Sequence, residues 1–305
     1  MISSVAGAVG SFFSTARWMW SHPLASRNRT GALARWTRWQ LGSRLLQGAA
    51  VLPYVNDTVM IVDPGMTGAT GNVYVGLHEF HEMAFLLHCL RASDWFLDVG
   101  ANVGSYTILA AGVCGSHTLA IEPVPTTFAR LCANVRLNGL DDRVRPMNIG
   151  IASKPGRLHF THTLDTVNHV LTSDEANPVD AITVDVVTLD ELVADRVPLL
   201  AKIDVEGFET EVIAGAGRVL AAPELRALIV ELNGSGARYG FDEARLRDRI
   251  ESFGFRPYDY DPFARTLRPS TAVKTEGNTL YVRDVAFVQE RLKAGPSVRV
   301  VGVEL

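Results

Sequence analysis

The stretch FLDVGANVGSYT, residues 96–107, decides the fold of this chain. It opens with apolar residues interrupted only by Asp98, passes through a turn with Gly100 and Gly104, and continues into a segment of helical character. A buried strand that ends in a glycine turn before a helix is typical of a parallel α/β sheet, and ligands bind at that edge of such a sheet. The turn therefore predicts a ligand site, although a purely structural glycine turn is equally compatible with it.

The glycine spacing in this turn disfavours a dinucleotide. The dinucleotide fingerprint reads G-x-G-x-x-G, and Asn102 stands where its middle glycine would be. A nicotinamide-dependent oxidoreductase is therefore the alternative function rather than the preferred one.

Apolar runs alternate with helical patterns through most of the chain, which predicts a mostly parallel sheet covered on both faces. The predicted strands lie at about 95–99, 117–122, 143–149, 198–204, 226–232, 255–260 and 279–283. The predicted helices lie at about 103–113, 125–138, 207–220 and 242–253. Residues 157–187 break the alternation, so we expect an insertion near the mouth of the sheet that contains His159, His162 and His169.

The amino-terminal head, residues 1–56, is basic, whereas the rest of the chain is acidic. Its six arginines, without any lysine or acid, contribute +6 to a net charge of −4, which leaves −10 for the remainder. Four of the five tryptophans also lie in the head. One predicted helical face contains Ala32, Trp36, Trp39, Ser43 and Leu46.

Two interpretations of this helical face stay open. It packs on the main domain, or the head, residues 1–50, contacts an anionic membrane surface. Packing is favoured, because aromatic residues at helical spacing usually belong to a core. Nucleic acid is not expected as a partner, because the acidic remainder would repel phosphates.

The remaining composition indicates a folded enzyme of the cytoplasm. Cys89, Cys114 and Cys132 lack the paired spacings of zinc sites and disulfide frameworks. No apolar run reaches the roughly eighteen residues of a spanning helix, and the amino terminus lacks a signal-peptide pattern. We expect a reducing cytoplasmic location, with peripheral contact at the inner membrane surface as the alternative; no oligomeric state is predicted.

A second landmark is HTLAIEPVPTTFARLCANV, residues 117–135. It reads as a buried strand that ends at Glu122, followed by a proline turn and a helix. A carboxylate at the end of the second strand, 24 residues after Asp98, is placed to accept hydrogen bonds from both hydroxyls of a ribose. Together with the glycine turn, Glu122 indicates a ligand that contains adenosine.

A third landmark is LLAKIDVEGFETEVIAGA, residues 199–216. Because side chains alternate along a strand, Lys202 and Asp204 point to the same face. Charged residues in an apolar strand are costly to bury unless they pair or serve a ligand, so both are expected to line the site. For Glu206 and Glu209, capping of the next helix and a functional role are equally supported.

These three segments resemble the FkbM family of S-adenosylmethionine-dependent methyltransferases. The resemblance covers about residues 74–283, although Asn233 in VELNG replaces the histidine expected in many relatives. It implies a class I methyltransferase, Rossmann-like α/β fold whose seven-stranded, mostly parallel sheet has an antiparallel last strand. The domain, residues 93–305, would follow the helical extension 1–56 and a lid or cap segment 57–92.

The resemblance also implies S-adenosylmethionine as cofactor and methyl transfer to a hydroxyl on a sugar, glycolipid or natural product. The methionine end of the cofactor would lie in the turn that contains Asp98, Gly100, Asn102 and Gly104. Glu122 would hold the ribose, Asn148 would flank the adenine, and Asp204 would stand near the sulfonium or the acceptor.

An alcohol needs help to lose its proton near neutral pH. His169 is the first candidate for the general base, because histidine titrates in the useful range and the insertion is expected over the strand ends. Asp204, made less basic by Lys202, is the second. A magnesium-like ion on Asp204, Glu206 and Glu231 is a less favoured route, so no metal site is predicted.

Two further segments precede the glycine turn in the chain. GLHEFHEMAF, residues 76–85, places His78 and His81 three residues apart instead of the four of zinc proteases, so it is expected to be a helix that covers the cofactor turn. GMTGATGNVYVG, residues 65–76, is rich in glycine and is expected to act as a mobile lid. The remaining alternative is a non-catalytic module that docks on a membrane or a partner through the head.

Overall fold

The fold is described from a computed structural model. The described residues are 14–45, 48–64, 66–161, 169–171, 181–193, 196–272 and 277–305. Leu46 of the predicted helical face and His162 of the predicted insertion lie outside these residues.

Fifteen strands and twelve α-helices lie within this part of the chain. The strands are β1 (Ala50–Pro53), β2 (Val59–Val62), β3 (Trp95–Val99), β4 (His117–Ile121), β5 (Val144–Met147), β6 (Gly150–Ile151), β7 (Gly156–Thr161), β8 (Ala181–Val187), β9 (Leu200–Ile203), β10 (Ala227–Glu231), β11 (Arg256–Asp261), β12 (Thr266–Pro269), β13 (Asn278–Val282), β14 (Arg299–Val300) and β15 (Val303–Glu304). The helices are α1 (14–21), α2 (Pro23–Arg27), α3 (Arg29–Leu45), α4 (Thr67–Val75), α5 (Phe80–Cys89), α6 (Ser105–Ile108), α7 (Pro125–Leu137), α8 (Leu189–Leu192), α9 (Glu209–Ala214), α10 (Gly217–Ala221), α11 (Glu243–Ser252) and α12 (Val285–Lys293).

The central sheet has eight strands in the order β12-β11-β13-β10-β9-β3-β4-β5. Five neighbouring strands of this sheet, β10, β9, β3, β4 and β5, are parallel to one another. The strand β13 runs antiparallel to both of its neighbours, β10 and β11. The strands β3, β9 and β10 are buried along nearly their whole length, as expected for strands covered on both faces. Their register sets Asp98 beside Lys202, which brings two of the predicted site residues onto neighbouring strands.

The predicted class I sheet is confirmed, including its antiparallel last strand, β13. The difference is an eighth strand, β12, which pairs with β11 at the edge. Its sequence is TLRP, and none of its residues is fully buried. An edge strand with an arginine and a proline lacks the apolar pattern by which strands are predicted.

Two predicted helices differ in detail from the observed ones. The helix expected at 207–220 is divided into α9 and α10 near Gly215, where a Cβ atom would lie 2.3 Å from the Ala152 carbonyl oxygen. The helix expected at 103–113 begins as α6 and ends in a π-helical turn, Leu109–Val113. The first difference follows from the tertiary contact at Gly215, and the second from a local change in backbone hydrogen bonding. The spacing of apolar residues along a helix predicts neither of them.

The head packs through one face of α3, mainly on the lid segment and also on the main domain. Ala32, Trp36 and Trp39 are buried there and share a cluster with Met60 and Val62 of β2 and with Val103 of the main domain. These are the described members of the predicted helical face, apart from the half-buried Ser43. Among the described helices, none combines the length and the apolar character that crossing a membrane requires.

The predicted insertion and the predicted lid segment both border the cavity at the strand ends. In the insertion, β7 and β8 form a three-stranded sheet with β6. In the lid segment, α4 supplies Asn72, whose side-chain oxygen accepts a hydrogen bond from the His78 amide at 2.7 Å. Phe160 of β7 and Asn72 of α4 both line the cavity.

Candidate functional site

One cavity lies at the carboxyl ends of β3, β4, β9 and β10, with a volume of about 270 Å³. It is far larger than the packing voids of a protein interior. Its lining comes from the strand ends and the turn after β3, and also from α4, α5 and the segment that joins them. Its polar lining residues are Asn72, His78, Glu79, Asp98, Asn102, Ser105, Tyr106, Glu122, Thr127, Lys202, Asp204, Glu206 and Glu231.

The turn after β3 is pressed against the end of β9. Gly100 has a φ of +79°, and a Cβ atom there would lie 1.7 Å from the carbonyl oxygen of Asp204. The amides of Gly100 and Ala101 both donate to the carbonyl oxygen of Ile121, at 3.0 and 2.9 Å. Only glycine fits this position, so the turn brings bare backbone to the cavity.

Glu122 is fixed by backbone amides of the turn after β3 and of the loop after β4. One of its carboxylate oxygens accepts from the Asn102 amide at 3.0 Å, and the other accepts from the Val124 amide at 3.0 Å. Burial raises the pKa of Glu122 to about 7, although the two amides act in the opposite direction. Each carboxylate oxygen has a further lone pair, so the group can still accept hydrogen bonds from a ligand.

Asp98 is buried beneath the turn. Its Oδ2 atom accepts a 2.6 Å hydrogen bond from the Thr107 hydroxyl, while Oδ1 has no hydrogen-bond partner among the described residues. Burial raises its pKa, and the nearby ammonium of Lys202 opposes that change. A buried carboxylate oxygen without a partner is costly, which indicates that a ligand supplies the missing donor.

The buried Lys202 forms an ion pair with the partly exposed Asp204, with 2.6 Å between Nζ and Oδ2. The ammonium also lies 5.0 Å from the centre of the Tyr106 ring. Burial works against the charged lysine, but the carboxylates of Asp204, Glu79 and Asp98 outweigh it and raise the pKa of Lys202. Lys202 is therefore a fixed positive charge beneath the cavity.

Three carboxylates converge at the ends of β9 and β10. One carboxylate oxygen from each of Asp204, Glu206 and Glu231 lies within 4.8 Å of the other two. Burial and then the Asp204 charge raise the pKa of Glu231 well above its usual range, and the same causes raise the pKa of Glu206 to about 7. Such a group can share protons, or it can bind one divalent cation.

Glu206 and Glu209 have different positions in the structure, although the sequence supports the same two roles equally for both. Glu206 lines the cavity at a φ of +56°. Glu209 is buried behind the loop, and its Oε1 atom accepts from the amides of Val205 and Gly207 at 2.9 and 3.2 Å. Glu209 therefore stabilises the loop, whereas Glu206 is available to a ligand.

The cavity lining also contains residues that the sequence does not assign to the site. Glu79 lines the cavity and accepts a 2.8 Å hydrogen bond from the Asn278 side chain. The Tyr106 hydroxyl is buried close to Glu79, and burial followed by the charge of Glu79 raises its pKa. The HEFHE segment was singled out for its polar residues, but their position over the cavity depends on tertiary packing.

The structure brings six predicted site residues together in the cavity lining: Asp98, Gly100, Asn102, Glu122, Lys202 and Asp204. Gly104 lies just behind them as the left-handed residue before α6. Asn148 is exposed, and its side-chain amide donates at 2.9 Å to the carbonyl oxygens of both Glu122 and Pro123. These hydrogen bonds tie the loop after β4 to the loop after β5.

His169 lies beside the cavity and is not one of its described lining residues. Its amide donates to the Thr161 hydroxyl at 2.9 Å, and its carbonyl oxygen accepts from the Thr161 amide at 3.0 Å. The next residue, Val170, does line the cavity. The insertion thus reaches the site through an apolar side chain next to the predicted histidine.

Comparison with known proteins identifies relatives of the chain. A model of the methyltransferase FkbM domain matches residues 98–257, which is more than half of the chain. The hexuronic acid methyltransferase AglP of Haloferax volcanii is 28% identical over 151 residues, which are 48% of this chain and 59% of AglP. The ribosomal protein L11 methyltransferase of Geobacter sp. strain M21 is 31% identical over 103 residues, 33% of this chain and 34% of that protein. The matches therefore span at most 59% of the length of these two relatives.

Similarity to solved structures is remote. The crystal structure of methyltransferase FkbM from Methylobacillus flagellatus has a TM-score of 0.44 and 19% identity, covering 63% of this chain and 44% of that one. The TYW2 protein of M. jannaschii, solved in complex with AdoMet, has a TM-score of 0.38 and 16% identity, covering 78% of this chain and 89% of that one. The fold assignment accordingly rests on the strand order and strand directions described above.

Proposed function

The chain belongs to the methyltransferase FkbM family, and on this basis we propose that it transfers a methyl group from S-adenosylmethionine to a hydroxyl oxygen of a small-molecule or glycan acceptor. One observation carries the proposal: a single cavity is lined by the turn after β3, by Glu122 and by the Lys202–Asp204 pair.

The residues present fit the cofactor. Glu122 would accept hydrogen bonds from the ribose hydroxyls, and the unpartnered Oδ1 atom of Asp98 would accept from the amino group of the methionine end. Gly100 and Asn102 would leave room for that end, and Gly104 would shape the turn behind it. Asn148 would hold the loop that flanks the adenine. S-adenosylmethionine, when bound, supplies a methyl group that a positively charged sulfur has already activated.

An acceptor with several hydroxyl groups suits the polar lining of the cavity. The Glu231 Oε2 atom lacks a hydrogen-bond partner within the described residues, and the Tyr106 hydroxyl lines the cavity close to Glu79. A polyhydroxylated acceptor would supply both a donor and an acceptor to these groups, whereas an apolar acceptor would leave the Glu231 atom unsatisfied. The relative AglP is named a hexuronic acid methyltransferase, which supports a sugar as the acceptor class.

Asp204 is the general base that the geometry favours. It lines the cavity, and Lys202 holds its carboxylate in one orientation through the 2.6 Å contact. The acceptor oxygen would gain the methyl group while its proton passes to this carboxylate. His169 is the weaker candidate, because only its neighbour Val170 reaches the cavity.

Transfer of a labelled methyl group to a panel of glycosides tests this proposal. Removing a general base lowers the rate by roughly 10²–10⁴-fold, so we expect Asp204→Asn to lose at least about 100-fold in kcat. The exposed Asp141→Asn substitution is the matched control and should leave the rate unchanged. If His169→Ala produced the large loss and Asp204→Asn did not, the base would be His169.

We also propose that this activity belongs to the reducing cytoplasm, with the chain held peripherally at the membrane. The three cysteines are free, and Cys89 is buried, which agrees with a reducing compartment. Cell fractionation tests this location. A chain that sediments with membranes and is released by a high-salt wash would support it, whereas release only by detergent would contradict it.

A further inference from the structure

Exposed apolar side chains are concentrated in the head. Among the described residues, seven large hydrophobic side chains are exposed, and five of them lie between residues 20 and 51. These five are Trp20, Leu33, Leu41, Leu45 and Val51. A soluble domain scatters such residues singly, so their concentration in one segment marks an interaction surface.

The helix α3 carries apolar residues on two opposite faces. Its inner face packs on the lid segment and on Val103 of the main domain through Ala32, Trp36 and Trp39. Leu41 and Leu45 lie one turn apart on the outer face, where 57% and 81% of their surface is exposed. A helix that only covers the domain would have polar residues at these outer positions.

The charges around these leucines are all positive. Arg38 lies three residues before Leu41, Arg44 lies three residues after it, and both arginines are exposed. At the start of α3, the Arg29 guanidinium lies 4.6 Å from the centre of the exposed Trp20 ring. No acidic residue occurs anywhere in residues 1–56. Exposed leucine, tryptophan and arginine without acids is the composition of helices that lie in the interface of an anionic bilayer.

We propose that the outer face of α3 docks on an anionic lipid bilayer, with the helix axis parallel to the membrane plane. This α3 surface consists of Leu33, Arg38, Leu41, Arg44 and Leu45. The leucines enter the headgroup region, and the arginines contact lipid phosphates. A nucleic acid would leave the leucines in water, and a second copy of the chain would oppose arginines to arginines.

Docking through this surface would place the cavity near the membrane. The inner face of α3 shares a cluster with Tyr74 and Val75 of α4, and α4 in turn lines the cavity through Asn72. The head also contacts the cavity wall directly, because the rings of Trp18 and His78 lie 5.0 Å apart. Only one layer of helix therefore separates the α3 surface from the candidate site.

Co-sedimentation of the full chain with vesicles tests the proposal. One set of vesicles is pure phosphatidylcholine, and the other contains roughly one third phosphatidylglycerol to supply negative charge. We expect binding only to the anionic vesicles, with a clear loss when the salt concentration rises from about 0.1 M to about 0.5 M. Each surface arginine strengthens partitioning to such a membrane about fivefold, so R38Q/R44Q should weaken the partition coefficient roughly 30-fold.

Leucine variants distinguish the α3 surface from general stickiness. The double substitution L41E/L45E should abolish vesicle binding, because it places two acids at the interface. Leu137→Glu on α7 is the matched control, since Leu137 is 43% exposed and lies outside the head. Thermal unfolding and gel filtration of each variant establish that it is folded.

Three results would overturn the proposal. They are no binding of the folded wild-type chain to anionic vesicles, equal binding to both kinds of vesicle, and a loss of binding in Leu137→Glu as large as that in L41E/L45E. If L41E/L45E instead converted a dimer to a monomer without affecting vesicle binding, the α3 surface would be a contact between copies of the chain. Cofactor binding does not enter this assay, so its outcome is independent of the proposed methyl transfer.

Discussion

Single positions in the turn after β3 determine whether a ligand can reach the backbone. Gly100 combines a left-handed φ of +79° with direct contact against the carbonyl oxygen of Asp204. Asn102 has a φ of +51°, and its side-chain oxygen satisfies the amide of Val103 at 2.7 Å. Asparagine tolerates this conformation better than most residues, which explains how a non-glycine residue occupies the turn.

The substitution Gly100→Ala separates steric contact from backbone strain. The added Cβ atom would meet the Asp204 carbonyl oxygen at 1.7 Å, in addition to the strain of the positive φ. We expect the free energy of unfolding to fall by about 2–5 kcal/mol, measured by urea denaturation. Gly139→Ala is the control, because its φ is +64° and no atom lies within 4 Å of the added group. It should cost only about 1–2 kcal/mol, and an equal loss in both variants would contradict the close contact.

Glu206 makes a pH-dependent contribution to stability. Burial raises its pKa from 4.5 in the unfolded chain to about 7 in the folded protein, so its favourable contribution is complete below pH 4.5 and is lost as the pH rises through 7. Glu206→Gln does not titrate, so the variant should gain stability relative to wild type between pH 5 and pH 8, by at most about 3 kcal/mol.

Urea denaturation of the ligand-free protein at both pH values measures this difference. Subtracting the wild type removes the opposing contributions of His22 and His88, whose pKa values burial lowers to about 4. The exposed Glu224→Gln substitution should show no change with pH. A stability difference for Glu206→Gln that is the same at pH 5 and pH 8 would show that Glu206 titrates normally.

At the scale of elements, the ends of β9 and β10 hold three carboxylates that could bind a metal or share protons. Lys202 already neutralises Asp204 at 2.6 Å, and the raised pKa of Glu231 keeps that group protonated near neutral pH. The group therefore presents less negative charge than its composition suggests, and strong cation binding requires ionised ligands.

We expect no Mg²⁺ site tighter than about 1 mM at this position. Calorimetric titration of the chelator-treated protein with MgCl₂ measures it, and Glu231→Gln is the variant that identifies the position. Saturable binding at micromolar Mg²⁺ that Glu231→Gln abolishes would contradict the proton-sharing interpretation and favour a metal-assisted reaction.

The elements that the sequence predicts best are those with long buried strands. β3, β4, β9 and β10 lie within two residues of the predicted bounds, because burial on both faces requires nearly continuous apolar runs. The edge strand β12, with the sequence TLRP, has no such run. The strands β1 and β2, AVLP and VMIV, are apolar but only four residues long, and they are not among the predicted strands. Residues on strand ends were found for the same reason: the parallel sheet brings Asp98, Glu122 and Asp204 to one edge.

Residues that reach the cavity through tertiary packing were harder to predict. Glu79 lies 125 residues before Asp204 in the chain, and its segment was interpreted as a helix over the turn rather than as part of the site. Asn148 follows a strand end and its amide joins two loops, while its predicted position beside the adenine stays a prediction. The position of an element predicts which residues are near a ligand, but not how their side chains are used.

At the scale of the whole molecule, the acidic cavity and the basic head are separate features of one chain. The described cavity lining contains six carboxylate side chains and one Lys or Arg side chain, that of Lys202. The six carboxylates belong to Glu79, Asp98, Glu122, Asp204, Glu206 and Glu231. An excess of carboxylates suits a cofactor whose reactive sulfur is positively charged. The outer face of α3 carries the opposite charge and is suited to a different partner, so the two features can be tested separately.

Calorimetric titration with S-adenosylhomocysteine, and separately with NAD, tests the central claim most directly. We expect S-adenosylhomocysteine to bind and NAD not to bind, and we expect Glu122→Ala to weaken binding by roughly 10–100-fold, because hydrogen bonds to a charged group contribute about 1.5–3 kcal/mol. The exposed Glu290→Ala substitution is the matched control. Binding of NAD but not of S-adenosylhomocysteine by the folded protein, or equal S-adenosylhomocysteine affinity in Glu122→Ala and wild type, would contradict the cofactor site described here.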